Sequence, residues 1–422
     1  MSDNLRQLVS ATRAAAPTVA TLNSAKRNAI LLAMAEIIDQ QHALLLAHNE
    51  RDLEAARERG VAVAMLDRLA VNPERLQALA SSLRQVAALP DPIGGRRPFS
   101  KPGSGIVVYK QRIPLGVILM IYEARPNVAV DAAALCLKSG NTILLRGGSE
   151  ARHSNAAIGA LWQQVLKQQQ VPPAAITVLT ECSHDDVNTM LQWDDLIDLV
   201  IPRGGEKLIR SVAANSRIPV IRHYQGVCHL FVDESAEPDM AIDLLIDGKC
   251  SRPAVCNALE SLLVHANIAN DWLPRAASAL RSRQVELRGC PRTQALVNDC
   301  LAASEADWAT EYLERIISIR VVDDLDQAIA HIRQYGSQHS EVICTSNDSN
   351  AERFLNEVDA SVVLVNASSR FNDGGELGLG AEIGIATTKL HAYGPMGLDS
   401  LTAEKYVVMG HGEVRHPDSR RR

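Results

Sequence analysis

The first 90 residues carry apolar positions three and four apart, the spacing that gathers them on one face of a helix. The opening stretch, 1–17, reads as an amphipathic helix of alanines and single leucines. Asn23 and Ser24 stand as caps before a second periodic run over 25–49. The periodicity then stops. Residues 90–114 are dense in proline and glycine, which a helix does not tolerate, while 105–113 within them have strand character. This segment reads as a hairpin or crossing arm that leaves the first domain.

From 117 onward, short apolar runs alternate with helical stretches. The runs at 117–121, 141–145, 176–179, 197–201, 218–221 and 229–232 predict buried strands, with helices at 130–138 and 150–169. The rhythm resumes beyond Pro238. Helices are expected at 240–249, 271–282, 325–334 and 350–357, and strands at 260–265, 316–322, 341–345 and 361–365. This pattern predicts an α/β fold whose parallel sheets are covered on both faces. No fixed-period repeat or low-complexity tract interrupts it.

Composition changes this picture mainly by exclusion. A chain of 422 residues exceeds one small core, so two or three domains are expected. It is 46% hydrophobic, which fits a soluble globular protein. A net charge of -6 without a basic stripe argues against a nucleic-acid partner, and Arg420, Arg421 and Arg422 read as a solvated tail. The N-terminus lacks a cationic start followed by an apolar run, and no apolar stretch has the length of a membrane span. A cytoplasmic protein without a membrane partner is the expectation. Its 8 cysteines are scattered without a CxxC pair, which gives neither a disulfide framework nor zinc-ligand spacing. No metal site is expected.

Three places carry candidate chemistry. Cys256 falls in the connection between a helix ending near Gly248 and Lys249 and a strand starting near Leu259. There a side chain can face a cleft. Arg252, Lys249 and backbone donors of the turn are candidates to favour its thiolate, the form that attacks an acyl carbon. A buried structural cysteine is the alternative. Next, an apolar strand runs into Arg125-Pro126-Asn127, where the Asn127 amide is a candidate oxyanion donor, an interaction typically worth about 3 kcal/mol. An ordinary turn residue would look the same. Arg146 and Ser149 then lie between a strand end and a helix start, where free N–H groups and the helix dipole favour phosphate. Third, Gly204 and Gly205 precede a helix and permit close backbone approach, with Lys207 or Arg210 nearby for a phosphate; plain turn chemistry also places glycines there. The glycine run at 377–384 follows no clear strand and comes too late to open a dinucleotide fold.

The order of 114–121, 140–151, the Gly-Gly helix start and the strand-entry cysteine resembles the aldehyde dehydrogenase superfamily. Four stretches narrow the resemblance to its γ-glutamyl phosphate reductases: MIYEARPNV, SRPAVCNALE, VVDDLDQAIAHIRQYGSQHSEVI and LGLGAEIGIATTKLHAYGPMGLDSLTAEKYVV. In the third, His331, His339, Ser340 and Glu341 fall at the family's spacing. The resemblance spans essentially the whole chain. It implies two Rossmann-like parallel α/β domains and a small β arm: an NADPH-binding domain (1–97 and 113–226), a catalytic domain (227–395) and an oligomerisation arm (98–112 and 396–422).

The resemblance further implies that Cys256 is the nucleophile. Arg146 and Ser149 would lie near the adenosine end of NADPH, Gly204 and Gly205 near its pyrophosphate or nicotinamide, and Glu311 near the nicotinamide ribose. Arg125 and Asn127 would stabilise oxyanion or phosphate charge. The expected reaction is reduction of L-glutamate 5-phosphate to the 5-semialdehyde through a cysteine thioester, in proline biosynthesis. Self-association and a complex with glutamate 5-kinase are the expected partnerships. One departure is informative. Hydrolytic aldehyde dehydrogenases carry a Glu-Leu-Gly-Gly segment whose glutamate activates water. Here the corresponding residues are His223, Tyr224, Gln225 and Gly226, without a carboxylate. An enzyme that hands its thioester to hydride should lack that base. His223 itself reads as either a ligand or a packing residue. The other readings are a non-phosphorylating semialdehyde dehydrogenase and an inactive scaffold for the kinase.

Overall fold

The computed structural model describes residues 2–415, so the Arg420–Arg422 tail lies outside the described residues. Two compact units emerge. One comprises the chain up to Ile221 with 379–384 and the segment from Met396; the other comprises 222–378 and 385–395.

The first unit opens with helices α1 (Ser2–Thr21), α2 (Ser24–Gln40) and α3 (His42–Glu58), then α4 (Val63–Leu69) and α5 (Pro73–Ala88). Asn23 caps α2 as expected, its side chain accepting the Lys26 N–H at 2.8 Å. The periodic run over 25–49 is not one helix, because α2 and α3 meet at Gln41 with a 74° bend. Apolar periodicity continues on both sides of that break without proline or glycine, so sequence spacing alone does not reveal it.

Strands β1 (Arg96–Ser100) and β2 (Val107–Pro114) form the predicted hairpin. There follow β3 (Val117–Tyr122), α6 (Val128–Lys138), β4 (Thr142–Arg146), α7 (Arg152–Gln168), β5 (Ile176–Val178), α8 (His184–Met190), β6 (Leu199–Arg203) and α9 (Glu206–Asn215). The four strands β3–β6 make a parallel sheet in the order β5-β4-β3-β6. Every residue of β3 is buried, which is why it reads as an uninterrupted apolar run. Leu5 and Val9 of α1 pack with Val117, Leu119 and Leu144 of this sheet. The strand expected at 218–221 is reduced to a single bridge between Val220 and Val200. Pro219 lacks the N–H that would extend the ladder.

The second unit contains β7 (Cys228–Val232), α10 (Pro238–Cys250), β8 (Leu259–His265), α11 (Ala266–Arg281), β9 (Glu286–Gly289), α12 (Pro291–Leu296), β10 (Leu301–Ala302), β11 (Ile316–Val322), α13 (Leu325–Tyr335), β12 (Ser340–Cys344), α14 (Asp348–Glu357) and β13 (Val362–Val365). Its seven strands are all parallel, in the order β10-β9-β11-β8-β7-β12-β13. Leu230, Val232, Leu262 and Val264 pack with Leu245, Trp272 and Leu273 of α10 and α11. Phe231, Leu263 and Ile343 point the other way, onto Leu325, Ile329 and Phe354 of α13 and α14. Both faces are therefore covered, as the sequence pattern predicts. The pattern missed β9 and β10, which are short and partly exposed.

Two short strands, β14 (Gly384–Ala386) and β15 (Gly394–Met396), lie where the chain passes from one unit to the other. Finally β16 (Thr402–Met409) pairs antiparallel with β2 over eight positions, from Thr402 with Pro114 to Met409 with Val107. The resulting sheet, β1-β2-β16, is the small β arm. Among the described residues no single helix is long and apolar enough to cross a membrane.

Candidate active site

In the second unit Cys256 occupies the loop between α10 and β8, half-buried and with a free thiol. Residues that surround it gather at the amino ends of four neighbouring strands: Glu311 before β11, Cys256 before β8, Gly226 before β7 and His339 before β12. Gly226 lies against the Cys256 backbone. A Cβ built on it would stand 1.9 Å from the Cys256 carbonyl oxygen and 2.8 Å from its Cα, so only glycine fits. The Gly226 N–H donates to Glu311 Oε1 at 2.9 Å, which joins Glu311 to the same constellation. Segment 223–226 carries imidazole, phenol, amide and glycine in turn and meets this loop at Gly226. His223 Nδ1 lies 3.0 Å from the Ile385 carbonyl oxygen, and its ring centroid is 5.9 Å from that of His339.

The loop itself is tied down at several points. Burial pushes the Cys228 thiol well up, so it stays protonated and donates to the Cys256 carbonyl oxygen at 3.2 Å. Ser369 Oγ donates to the Asn257 carbonyl oxygen at 2.6 Å, and Asn257 Nδ2 donates to the Asn372 carbonyl at 3.0 Å. Asn372 Nδ2 reaches Ser340 Oγ at 2.8 Å, which is 2.8 Å from His339 Nδ1. At the loop's two ends Lys249 and Glu260 form a 2.6 Å ion pair with side chains 0% and 1% exposed. This corrects the expectation that Lys249 serves the thiolate, since its ammonium is committed to Glu260. Arg252 is exposed. Asn257, Ser369 and Asn372 were not singled out from sequence. Asn257 follows the cysteine directly, but nothing local marks residues more than a hundred positions away.

In the first unit the expected residues gather at the carboxyl ends of adjacent parallel strands, where open α/β sheets bind ligands. Arg125 and Asn127 follow β3, Arg146 and Ser149 follow β4, and Gly204 and Gly205 follow β6. Arg146, Gly147, Gly148, Ser149, Arg152 and Asn155, together with 179–183, line an open cavity of about 350 Å³. Arg146 Nη2 donates to the Cys182 carbonyl oxygen at 3.2 Å, while its Nε is buried without a hydrogen-bond partner among the described residues. Ser149 is exposed at the rim. Arg152, missed from sequence, lines the same cavity and pairs with Glu181 at 2.9 Å.

Two amides in the first turn of α7 are already occupied. Asp52 of α3 accepts the N–H groups of His153 and Ser154 at 2.9 and 2.7 Å, and the Ser154 hydroxyl at 2.6 Å. The start of α9 is similar, for Glu123 Oε2 accepts the Gly205 N–H at 3.2 Å. A Cβ on Gly204 would meet the Glu123 carboxylate at 2.6 Å. Arg210 donates to Glu206 at 2.6 Å. Cationic side chains around the cavity are further groups fit for a phosphate. The Asn127 amide donates to Asp131 at 3.2 Å. Burial raises the Asp131 pKa against hydrogen bonds from Asn127 and Ser82. The Arg125 N–H bonds the Glu123 carbonyl oxygen at 2.7 Å.

The sequence profile of the aldehyde dehydrogenase family matches residues 2–315. A γ-glutamyl phosphate reductase of Xanthomonas campestris pv. campestris (strain B100) is 58% identical over 404 residues, 96% of this chain and 98% of its own. One from Xylella fastidiosa (strain M23) is 55% identical over 413 residues, covering 98% and 97%. The crystal structure of γ-glutamyl phosphate reductase from Thermotoga maritima superposes with a TM-score of 0.96 at 43% identity, covering 98% of this chain and all of that one. The chain belongs to the aldehyde dehydrogenase family, on its γ-glutamyl phosphate reductase branch.

Proposed function

We propose that the protein reduces L-glutamate 5-phosphate to L-glutamate 5-semialdehyde and phosphate, with NADPH as reductant, in the proline pathway of the cytoplasm. The observation that carries this reading is the free Cys256 on a tethered loop, with no carboxylate in the 223–226 segment that touches it. The Cys256 thiolate attacks the acyl carbon, the C–O bond to phosphate breaks, and a thioester remains. When bound, NADPH supplies the hydride that reduces the thioester carbon. The carbon–sulfur bond then breaks, and Cys256 leaves as thiolate while the aldehyde departs. Arg125 and Asn127 are assigned to the developing negative charge. Because segment 223–226 lacks the carboxylate that activates water in hydrolytic aldehyde dehydrogenases, hydrolysis is disfavoured.

The first unit's cavity suits the adenosine end of the cofactor. Its orphaned Arg146 Nε, the Ser149 hydroxyl and the Arg152 guanidinium are the groups that would hold a 2′-phosphate. Glu311 is assigned to the nicotinamide ribose, and Gly204 and Gly205 to close approach of the cofactor's middle. Self-association through the arm and transfer of the unstable acyl phosphate from glutamate 5-kinase belong to the same reading. The test runs the reaction backwards with glutamate semialdehyde and NADP⁺. Strict dependence of NADP⁺ reduction on phosphate supports the reading. Reduction without phosphate means that water resolves the thioester, and the reading fails.

A further inference from the structure

The substrate just named is anionic at both ends, and the buried Lys249 and Glu260 at the ends of the Cys256 loop are already paired with each other. Two arginines of the second unit are held differently. Arg222 and Arg370 each have a buried Nε without a hydrogen-bond partner among the described residues. A guanidinium stripped of water at Nε and given no acceptor costs stability and returns none within the chain.

The two differ in what holds them. The Arg222 guanidinium lies over the Tyr224 ring, 5.3 Å from its centroid, so an aromatic face already serves it. Among the described residues Arg370 has no such aromatic neighbour. It sits in a short turn, Ser369–Phe371, whose cap Ser368 accepts the Arg370 N–H at 3.3 Å. That turn is fastened to the residue after the nucleophile. Ser369 Oγ bonds the Asn257 carbonyl at 2.6 Å, and Asn257 Nδ2 reaches the carbonyl oxygens of Arg370 and Asn372 at 3.4 and 3.0 Å. The main chain that carries Arg370 is therefore positioned by the same bonds that position Cys256.

We propose that Arg370 is the anchor for the substrate's α-carboxylate, an inference that rests on the acyl-phosphate reading above. In an extended glutamyl chain the carboxylate lies roughly 5 Å from the acyl carbon, and the guanidinium fork matches its two oxygens. Holding that end fixes the acyl carbon against the thiolate and converts binding into orientation.

The test compares phosphate-dependent NADP⁺ reduction by glutamate semialdehyde and by 4-aminobutanal, the same aldehyde without the carboxylate. Wild type should prefer the first. Arg370→Ala should lower kcat/KM for glutamate semialdehyde about 10- to 100-fold, the range for a lost charged hydrogen bond. On 4-aminobutanal it should stay within about threefold of wild type. Arg370→Lys, which keeps the charge and loses the fork, should fall between. An equal loss on both substrates, an unchanged preference, or a preference abolished by Arg222→Ala instead overturns the assignment. Absence of any phosphate-dependent activity in wild type is a separate result, which removes the acyl-phosphate reading and this inference with it.

Discussion

Lys249 and Glu260 stand at the two ends of the loop that carries Cys256, and Lys249→Met removes the charge with little change in shape. The pair is 2.6 Å apart and shut off from solvent, with side chains 0% and 1% exposed. Glu260 Oε1 also accepts the Leu313 N–H at 3.2 Å. Burial lowers the Lys249 pKa and raises that of Glu260, each opposed by the partner's attraction. Removing one partner of such a pair costs about 3–5 kcal/mol when the other stays charged. Glu260 has a second course, for without Lys249 its pKa climbs further and a proton replaces the lost cation. The sign follows. A carboxyl whose folded pKa lies above its unfolded value favours the folded state at low pH, and that contribution is lost as pH rises through the folded value. The variant's deficit should be under about 2 kcal/mol at pH 5 and reach about 3–5 kcal/mol at pH 9. Lys249→Met with Glu260→Gln should recover most of the loss at pH 9. Urea unfolding followed by tryptophan fluorescence reads this, since Trp272 and Trp308 both lie in the second unit. A deficit that does not change with pH, or one below about 1 kcal/mol at pH 9, refutes the reasoning.

Other outcomes follow from single contacts. Cys256→Ala should abolish turnover while NADPH binding, measured by fluorescence titration, stays near wild type; retained turnover removes the nucleophile assignment. Gly226→Ala puts a methyl group into the Cys256 backbone. It should cost about 1–3 kcal/mol of stability and, by displacing Cys256, about 100-fold in kcat. His331 is pushed down to about 2 by burial, then by His229 and Arg320, and Arg320 Nη1 lies 3.0 Å from its Nδ1. Its folded pKa is depressed, so its contribution is present above the ordinary histidine range and is lost as pH falls below it. Unfolding free energy should decline below about pH 6.5, and His331→Asn should flatten that decline. Asp52→Ala frees the start of α7 and should cost about 1–2 kcal/mol while raising the KM for NADPH; an unchanged KM would separate this cap from the cavity.

Strands buried on both sides announced themselves, because β3, β4, β7 and β8 need continuous apolar runs to lie between two helical layers. Elements whose stability comes from neighbours did not. β9 and β10 are too short to show a period, and the bend at Gln41 interrupts no apolar face. The site divides in the same way. Cys256, Arg146 and Ser149 are legible because each sits at a junction between elements. The groups that hold the Cys256 loop, Ser369 and Asn372, become its neighbours only once β12 and β13 are laid beside β7. Asp52 is similar: an acid within a helix looks solvated until the start of another helix arrives against it.

The arm's central strand meets its last partner late in biosynthesis. Lys110 and Glu404, paired across β2 and β16, stand 294 positions apart in sequence. At translation rates of about 5–20 residues per second, β2 waits roughly 15–60 s before β16 has been made. The whole second unit is synthesised in that interval. Until then the β1–β2 hairpin presents an unpaired edge able to pair with another nascent chain. Nascent chains close together on one message would meet in that window, so the yield of native protein should depend on how densely ribosomes load and on which chaperones cover the hairpin.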